Sequence, residues 1–177
     1  MAKAEHLLGR QLALVLASLE PSNRLICEVM LHTGLRVSDV LNLRTEQVRN
    51  GSRFWIREAK TGKSKLVGIP AGLRADLLAQ AGELWLFPGA RDPKMHRTRQ
   101  AVWADIKRAQ HAFRIRRNLG SHTMRKDYAE DMLRRFGDVR RVQKALNHSS
   151  PSITVLYLMA DELTQRRGSA RNVYKEH

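Results

Sequence analysis

From Ser52 to Glu58 the chain changes its rhythm. Phe54 and Ile56 alternate there with Arg53, Trp55 and Arg57, and a period of two puts successive side chains on opposite faces of a strand. Thr61-Gly62 supplies a turn and Leu66-Val67-Gly68-Ile69-Pro70 the returning strand, which predicts a β-hairpin with a basic tip of Lys60, Lys63 and Lys65. A third short strand is expected at Leu84–Phe87, ahead of Pro88-Gly89. Elsewhere the apolar residues recur at three and four positions. Together these patterns constrain the fold class to α+β, mainly α: a helical domain with a small antiparallel sheet of three strands.

The helical stretches carry their own punctuation. Leu8, Leu12, Val15 and Leu19 share one face, and Pro21-Ser22-Asn23 breaks and recaps the chain before Leu25, Ile26, Val29 and Met30 form the next. Gly34 ends that helix, and a short one follows from about Ser38 to Leu43. Val102, Ile106, Ala109 and Phe113 mark a long helix; Met124, Tyr128 and Met132 mark another, stopped at Gly137. Asp138 is placed to cap a helix carrying Val139, Val142 and Leu146. Ser150-Pro151 opens a last helix, with Tyr157 near its end, because Ser suits the cap and Pro the first helical position.

At 177 residues the chain has the size of one domain, and residues 161–177 form a basic tail. Lys and Arg number 32 against 17 Asp and Glu, a formal charge of +15. So strong an excess repels itself unless an anion compensates it, and nucleic acid is the common one. A basic ribosomal protein would share this balance, so charge names a class of partner and not a site. Cys27 is the single cysteine, which excludes an internal disulfide and fits a reducing cytoplasm. No apolar run reaches the ~18 residues of a membrane span. Lys3 and Arg10 before Leu12–Ala17 faintly resemble a signal peptide, but Glu5 and Glu20 flank a short run, and it reads as a core helix.

Four separated features carry candidate chemistry. Arg36, in Thr33-Gly34-Leu35-Arg36-Val37-Ser38-Asp39, stands at a helix junction where it either faces a ligand, caps a helix or pairs with Asp39. Lys60 sits at the hairpin turn, able to enter a groove or simply to be solvated. His122 and Arg125 lie on one helical face, as a working pair or as exposed members of a basic helix. His148 precedes Tyr157 by nine positions (157 − 148), with a capped helix start between them, and Tyr128 and Tyr174 are the competing tyrosines.

In their order and contexts these features resemble the tyrosine recombinase, or phage integrase, family over roughly Leu25 to Asp161. The family's Arg in a Thr-Gly-Leu-Arg box falls on Arg36, its hairpin Lys on Lys60, its His-x-x-Arg box on His122 and Arg125, and its Leu-Gly-His box with a later Tyr on His148 and Tyr157. Asn147 replaces the usual Gly but tolerates the left-handed conformation a helix end wants; Asp39 stands where Glu is frequent; Lys126-Asp127 replaces a common His-Thr. The resemblance implies a single catalytic domain over 1–177, with the family's N-terminal core-binding domain absent or removed.

It further implies a bacterial or phage DNA recombinase that acts on double-stranded DNA as a tetramer, with DNA-bending accessory proteins and no membrane or cofactor. Arg36 and Arg125 would clamp the phosphate through bidentate, charge-assisted bonds, with His148 as a further donor. Tyr157 would attack, helped by a base or by a strongly positive site, for which His122 and the arginines are the candidates, and Lys60 would protonate the departing 5′-oxygen. Protein cations then do the work of a metal, and the 3′-phosphotyrosine conserves the bond energy for rejoining. Two other readings use the same residues: a type IB topoisomerase-like enzyme that relaxes supercoils, and a DNA-binding module without catalysis.

Overall fold

The computed structural model describes residues 2–115, 118–156, 158 and 159. The chain divides into two compact units, Met1–Tyr128 and Ala129–His177.

The first unit opens with α1 (Ala2–Ser18) and α2 (Pro21–Thr33), joined where Glu20 caps α2 by accepting the Asn23 N–H and Pro21 takes the first helical position. Gly34 then turns left-handed, with φ 63°, and its N–H closes on Met30 O. Only glycine serves here, because a Cβ would also collide with the Tyr128 ring. Two short helices follow, α3 (Val37–Leu41) and α4 (Thr45–Arg49). The hairpin is β1 (Arg53–Arg57) antiparallel to β2 (Ser64–Gly68), with Phe54 opposite Val67 and Ile56 opposite Lys65. Helices α5 (Ala71–Gln80) and α6 (Arg99–Ala112) complete the unit, with α7 (Ser121–Phe136) beginning in it. A two-stranded hairpin is marginal alone. Here Phe54, Ile56 and Val67 join a core built from Val15, Leu19, Ile26, Val29, Leu77, Leu86, Val102 and Ile106. Leu12 packs against that core, while Leu8 lies outside the residues whose side chains are described.

The predicted third strand is corrected. Among the described residues the sheet has two strands. Leu84–Phe87 meets the chain at Leu43–Thr45 instead, through an isolated antiparallel bridge between Trp85 and Arg44. Leu86 N–H reaches Leu43 O at 3.0 Å and Thr45 N–H reaches Leu84 O at 3.2 Å. Gly82 N–H and the Gln80 side chain take Trp85 O and Leu86 O, so no ladder edge is left for the hairpin. Leu86 and Phe87, adjacent in sequence, are both fully buried, which is a core plug and not the alternation of a half-buried strand.

The second unit holds the end of α7, then α8 (Val139–Leu146) and helical residues 151–156. Gly137, with φ 64°, stops α7, and the Asp138 carboxylate caps α8 by accepting the Arg140 N–H. Asn147 adopts the left-handed conformation, with φ 57°. Residues 160–177, and with them the basic tail, lie outside the described residues.

Candidate active site

The C-terminal turn of α2 organises the first unit's polar cluster. A helix end leaves carbonyls without intrahelical partners. Thr33 O accepts from Lys65 Nζ at 2.7 Å, and Gly34 O accepts from Arg125 Nη1. Cations from β2 and α7 thus bind consecutive carbonyls, which also suits the negative end of the helix dipole. Arg36 follows at once, in extended conformation at the start of α3, and makes no capping bond with its side chain.

Arg36 Nη1 instead pairs with Glu58 Oε2 at 3.0 Å, across the junction between β1 and the hairpin turn. Asp39, one of the alternatives for Arg36, bonds elsewhere: its Oδ1 accepts the Ala59 N–H at 2.9 Å. Glu58 is wholly buried, whereas the Arg36 side chain is 20% exposed. Lys60 lies between Ala59 and Thr61, with its side chain exposed.

Lys65 was counted with the basic tip, but the structure turns it inward. Its register partner is the buried Ile56, so its side chain leaves the inner face of the hairpin. The ammonium lies 5.9 Å from the centre of the Tyr128 ring. Burial, then the positive charge of Arg125, push its pKa down to about 8; Glu58 and Asp39 oppose the shift and Arg36 adds to it. Glu58 is the residue that sequence reasoning passed over, whereas Lys65 is one of the two lysines, with Lys63, that lie within reach of the same site as Lys60. The usable signal for Lys65 was the register, since Phe54 and Ile56 facing inward carry Val67 and Lys65 with them.

The His-x-x-Arg pair has two environments. His122 is exposed in the first turn of α7, while Arg125 is only 3% exposed. The reading of the pair as exposed members of a basic helix therefore does not hold at Arg125, which the Gly34 carbonyl draws inward.

His148 belongs to the second unit. The left-handed Asn147 turns the chain so that His148 N–H bonds Gln143 O at 3.0 Å, and the Gln143 amide returns a bond to His148 O at 3.3 Å. Its Nδ1 lies 3.0 Å from the hydroxyl of Thr154, a fully buried residue, and this holds the ring. Tyr157 lies outside the described residues. The structure thus gathers Arg36, Arg125 and the backbone carrying Lys60 around one helix end, and gives His148 a separate framework.

The first cluster offers an anion two guanidiniums and an ammonium around two buried carboxylates. The profile of the phage integrase family matches residues 5–163. YoeC, a probable integrase/recombinase of Bacillus subtilis, is 32% identical over 149 residues, 77% of this chain and 76% of that protein. The tyrosine recombinase XerD of Ralstonia nicotianae is 37% identical over 147 residues, covering 76% of this chain and 47% of the relative, so the chain spans about half the relative's length. A solved lambda integrase dimer bound to a core site has a TM-score of 0.67 at 18% identity, over 84% of this chain and 57% of that one, a likeness of fold. The chain belongs to the phage integrase family.

Proposed function

We propose that this chain is the catalytic domain of a site-specific DNA recombinase, breaking and rejoining duplex DNA through a 3′-phosphotyrosine at Tyr157. One observation carries the reading: Arg36 and Arg125, 89 positions apart (125 − 36), are both anchored at the end of α2, Arg36 by chain continuity and Arg125 through Gly34 O. A bidentate fork loses least entropy in clamping a phosphate when its stem is already fixed. Donors of this kind are worth about 3–4 kcal/mol each in other enzymes. The net charge of +15 supports DNA as the partner.

In this mechanism Arg36 and Arg125 hold the non-bridging oxygens and stabilise the charge that grows on them. His148, oriented by Thr154, adds a donor. A tyrosine phenol has an ordinary pKa of about 10 and needs help to attack at neutral pH. His122 accepts its proton as the oxygen bonds phosphorus. Lys60 supplies a proton to the 5′-oxygen as that bond breaks. The free 5′-hydroxyl of an exchanged strand later attacks the phosphotyrosine and releases the enzyme. Strand exchange needs two DNA sites, so the working form is an oligomer on DNA, a tetramer with accessory bending proteins where the site requires them.

The test is covalent trapping on a nicked duplex, with the attached residue mapped by mass spectrometry. The unchanged protein forms an adduct at Tyr157, and Tyr157→Phe forms none while binding DNA within a few-fold. Tyr128→Phe and Tyr174→Phe retain the adduct. An adduct that persists in Tyr157→Phe and disappears in Tyr174→Phe assigns the nucleophile to the tail.

A further inference from the structure

We propose that Glu58 is a positioning residue that holds Arg36 and the Lys60 turn in one frame. The inference rests on the recombinase reading above and deepens it. A single atom makes the link: Glu58 Oε2 accepts from Arg36 Nη1 at 3.0 Å and from the Thr61 hydroxyl at 2.7 Å. Thr61 follows Lys60 directly. On the other side of Lys60, the Ala59 N–H is held by Asp39, a residue of α3 just after Arg36. The backbone of Glu58 closes the turn as well, with its N–H on Lys63 O at 3.0 Å and its carbonyl accepting from Gly62 N–H at 2.8 Å. Both neighbours of Lys60 are therefore fastened to the Arg36 segment while the Lys60 side chain stays exposed.

The chemistry favours positioning over stability. A fully buried carboxylate pays a large desolvation cost, and an apolar residue of similar size is commonly at least as stabilising. Glu58 is 0% exposed, and its Oε1 has no hydrogen-bond partner among the described residues. The group is placed for Arg36 and Thr61 and not for its own satisfaction. It engages one nitrogen of the Arg36 fork, so the guanidinium is aimed without being used up. Arg36 would stabilise the phosphate and Lys60 the leaving oxygen, which are opposite needs of one transition state. Their relative placement must be set to a fraction of an ångström, and displacement of about 1 Å costs up to about 100-fold in rate.

The experiment compares Glu58→Gln, Thr61→Val and Lys60→Ala in the full chain. Covalent adduct formation is timed on two nicked duplexes, one with the ordinary 5′-oxygen at the scissile bond and one with a 5′-bridging sulfur. Sulfur leaves as a thiolate, whose conjugate acid has a pKa near 8.5, and needs little help from a proton donor. DNA affinity and thermal unfolding are measured alongside. On ordinary DNA, Glu58→Gln and Thr61→Val each slow adduct formation by about tenfold or more, with affinity and unfolding near those of the unchanged protein. On the sulfur duplex the Thr61→Val deficit disappears with that of Lys60→Ala, because only the turn was loosened. The Glu58→Gln deficit shrinks but persists, because Arg36 is loosened too. Unchanged rates in Glu58→Gln and Thr61→Val on ordinary DNA, or deficits of equal size on both duplexes, overturn the proposal. The unchanged protein separates the two levels: if it forms no adduct on either duplex, the recombinase reading falls and this inference with it.

Discussion

Two polar clusters lie in the first unit, and they are built on opposite terms. One centres on Asp105 of α6. Its Oδ2 accepts the Glu20 N–H at 2.8 Å and Asn23 Nδ2 at 2.9 Å, and its Oδ1 accepts Arg108 Nε at 3.0 Å. Arg97 bonds both Asn23 Oδ1 and Glu20, and Arg108 also reaches Ser18 O. The carboxylate oxygens of Asp105 are all engaged, and the bonds tie the α1–α2 junction to α6. The other cluster joins Arg36, Asp39, Glu58, Lys65 and Arg125. There Asp39 Oδ2 and Glu58 Oε1 are buried without hydrogen-bond partners among the described residues, and the half-buried Lys65 has its pKa pushed down to about 8. The difference is between a fastening whose acceptors are satisfied and a partly satisfied cluster that holds the candidate site residues. A closed network is worth its hydrogen bonds, whereas buried acceptor oxygens left without donors carry a desolvation cost.

The largest effect expected from this contrast is catalytic. Arg36→Lys and Arg125→Lys should each lower the rate of adduct formation by more than about tenfold, because lysine keeps the charge and loses the fork. Adduct formation at the unchanged rate in both variants would place these arginines in the same class as Arg97 and Arg108.

Asp105→Ala should do the reverse. Removing the shared acceptor leaves several donors unpaired, and stability should fall by about 1–3 kcal/mol in chemical denaturation, with adduct yield per folded molecule unchanged. Its acid limb carries a second signature. Burial by itself would raise the Asp105 pKa, but hydrogen bonds from Asn23, Glu20 and Arg108 outweigh it and hold the carboxyl below its ordinary range. A depressed folded value means that its stabilisation is complete above the unfolded pKa of about 3.9 and is lost as pH falls through the lower folded value. Asp105→Ala should flatten that part of the stability profile. A loss of activity without a loss of stability would erase the distinction between the clusters.

The smallest effect concerns Lys65. Its pKa is pushed down to about 8, against about 10.4 for an unfolded chain. Between those values the unfolded state binds a proton that the native state does not, so stability should rise with pH across that interval. Lys65→Met removes the titration and should flatten the rise, measured as the urea midpoint between pH 7.5 and pH 10. An identical pH profile in Lys65→Met would show that the inward lysine carries no electrostatic cost.

The sequence offers the candidate site as a set of residues and not as a set of bonds. Arg36 stands at a helix junction, where facing a ligand, capping a helix and pairing with Asp39 are all open to it from sequence. The structure chose Glu58, which stands beyond the first strand and had no local mark to single it out. Lys63 and Lys65 were grouped with Lys60 because all three lie near a turn. Only the pairing of Ile56 with Lys65 decided that one of them faces inward, and a slip of one residue would have sent it to solvent. For Tyr157 the sequence and its family resemblance remain the guide, since the residue lies outside the described part of the chain.

What the sequence determined by itself acts over a few neighbouring residues. The left-handed ends at Gly34, Gly137 and Asn147, the cap at Asp138, Pro21 at the first position of α2, and the alternation of β1 all follow from backbone sterics and hydrogen bonds within a turn or two. The class of partner follows from net charge, which needs no geometry. Only the tertiary structure decided that Leu84–Phe87 plugs the core beside Leu43–Thr45, that Arg125 turns in to Gly34, and that Glu58 joins Arg36 to the Lys60 turn. Those choices join positions far apart in the chain, where many partners of the same chemical type compete. The winner is the one that packing of the core brings within about 3 Å, the reach of a hydrogen bond.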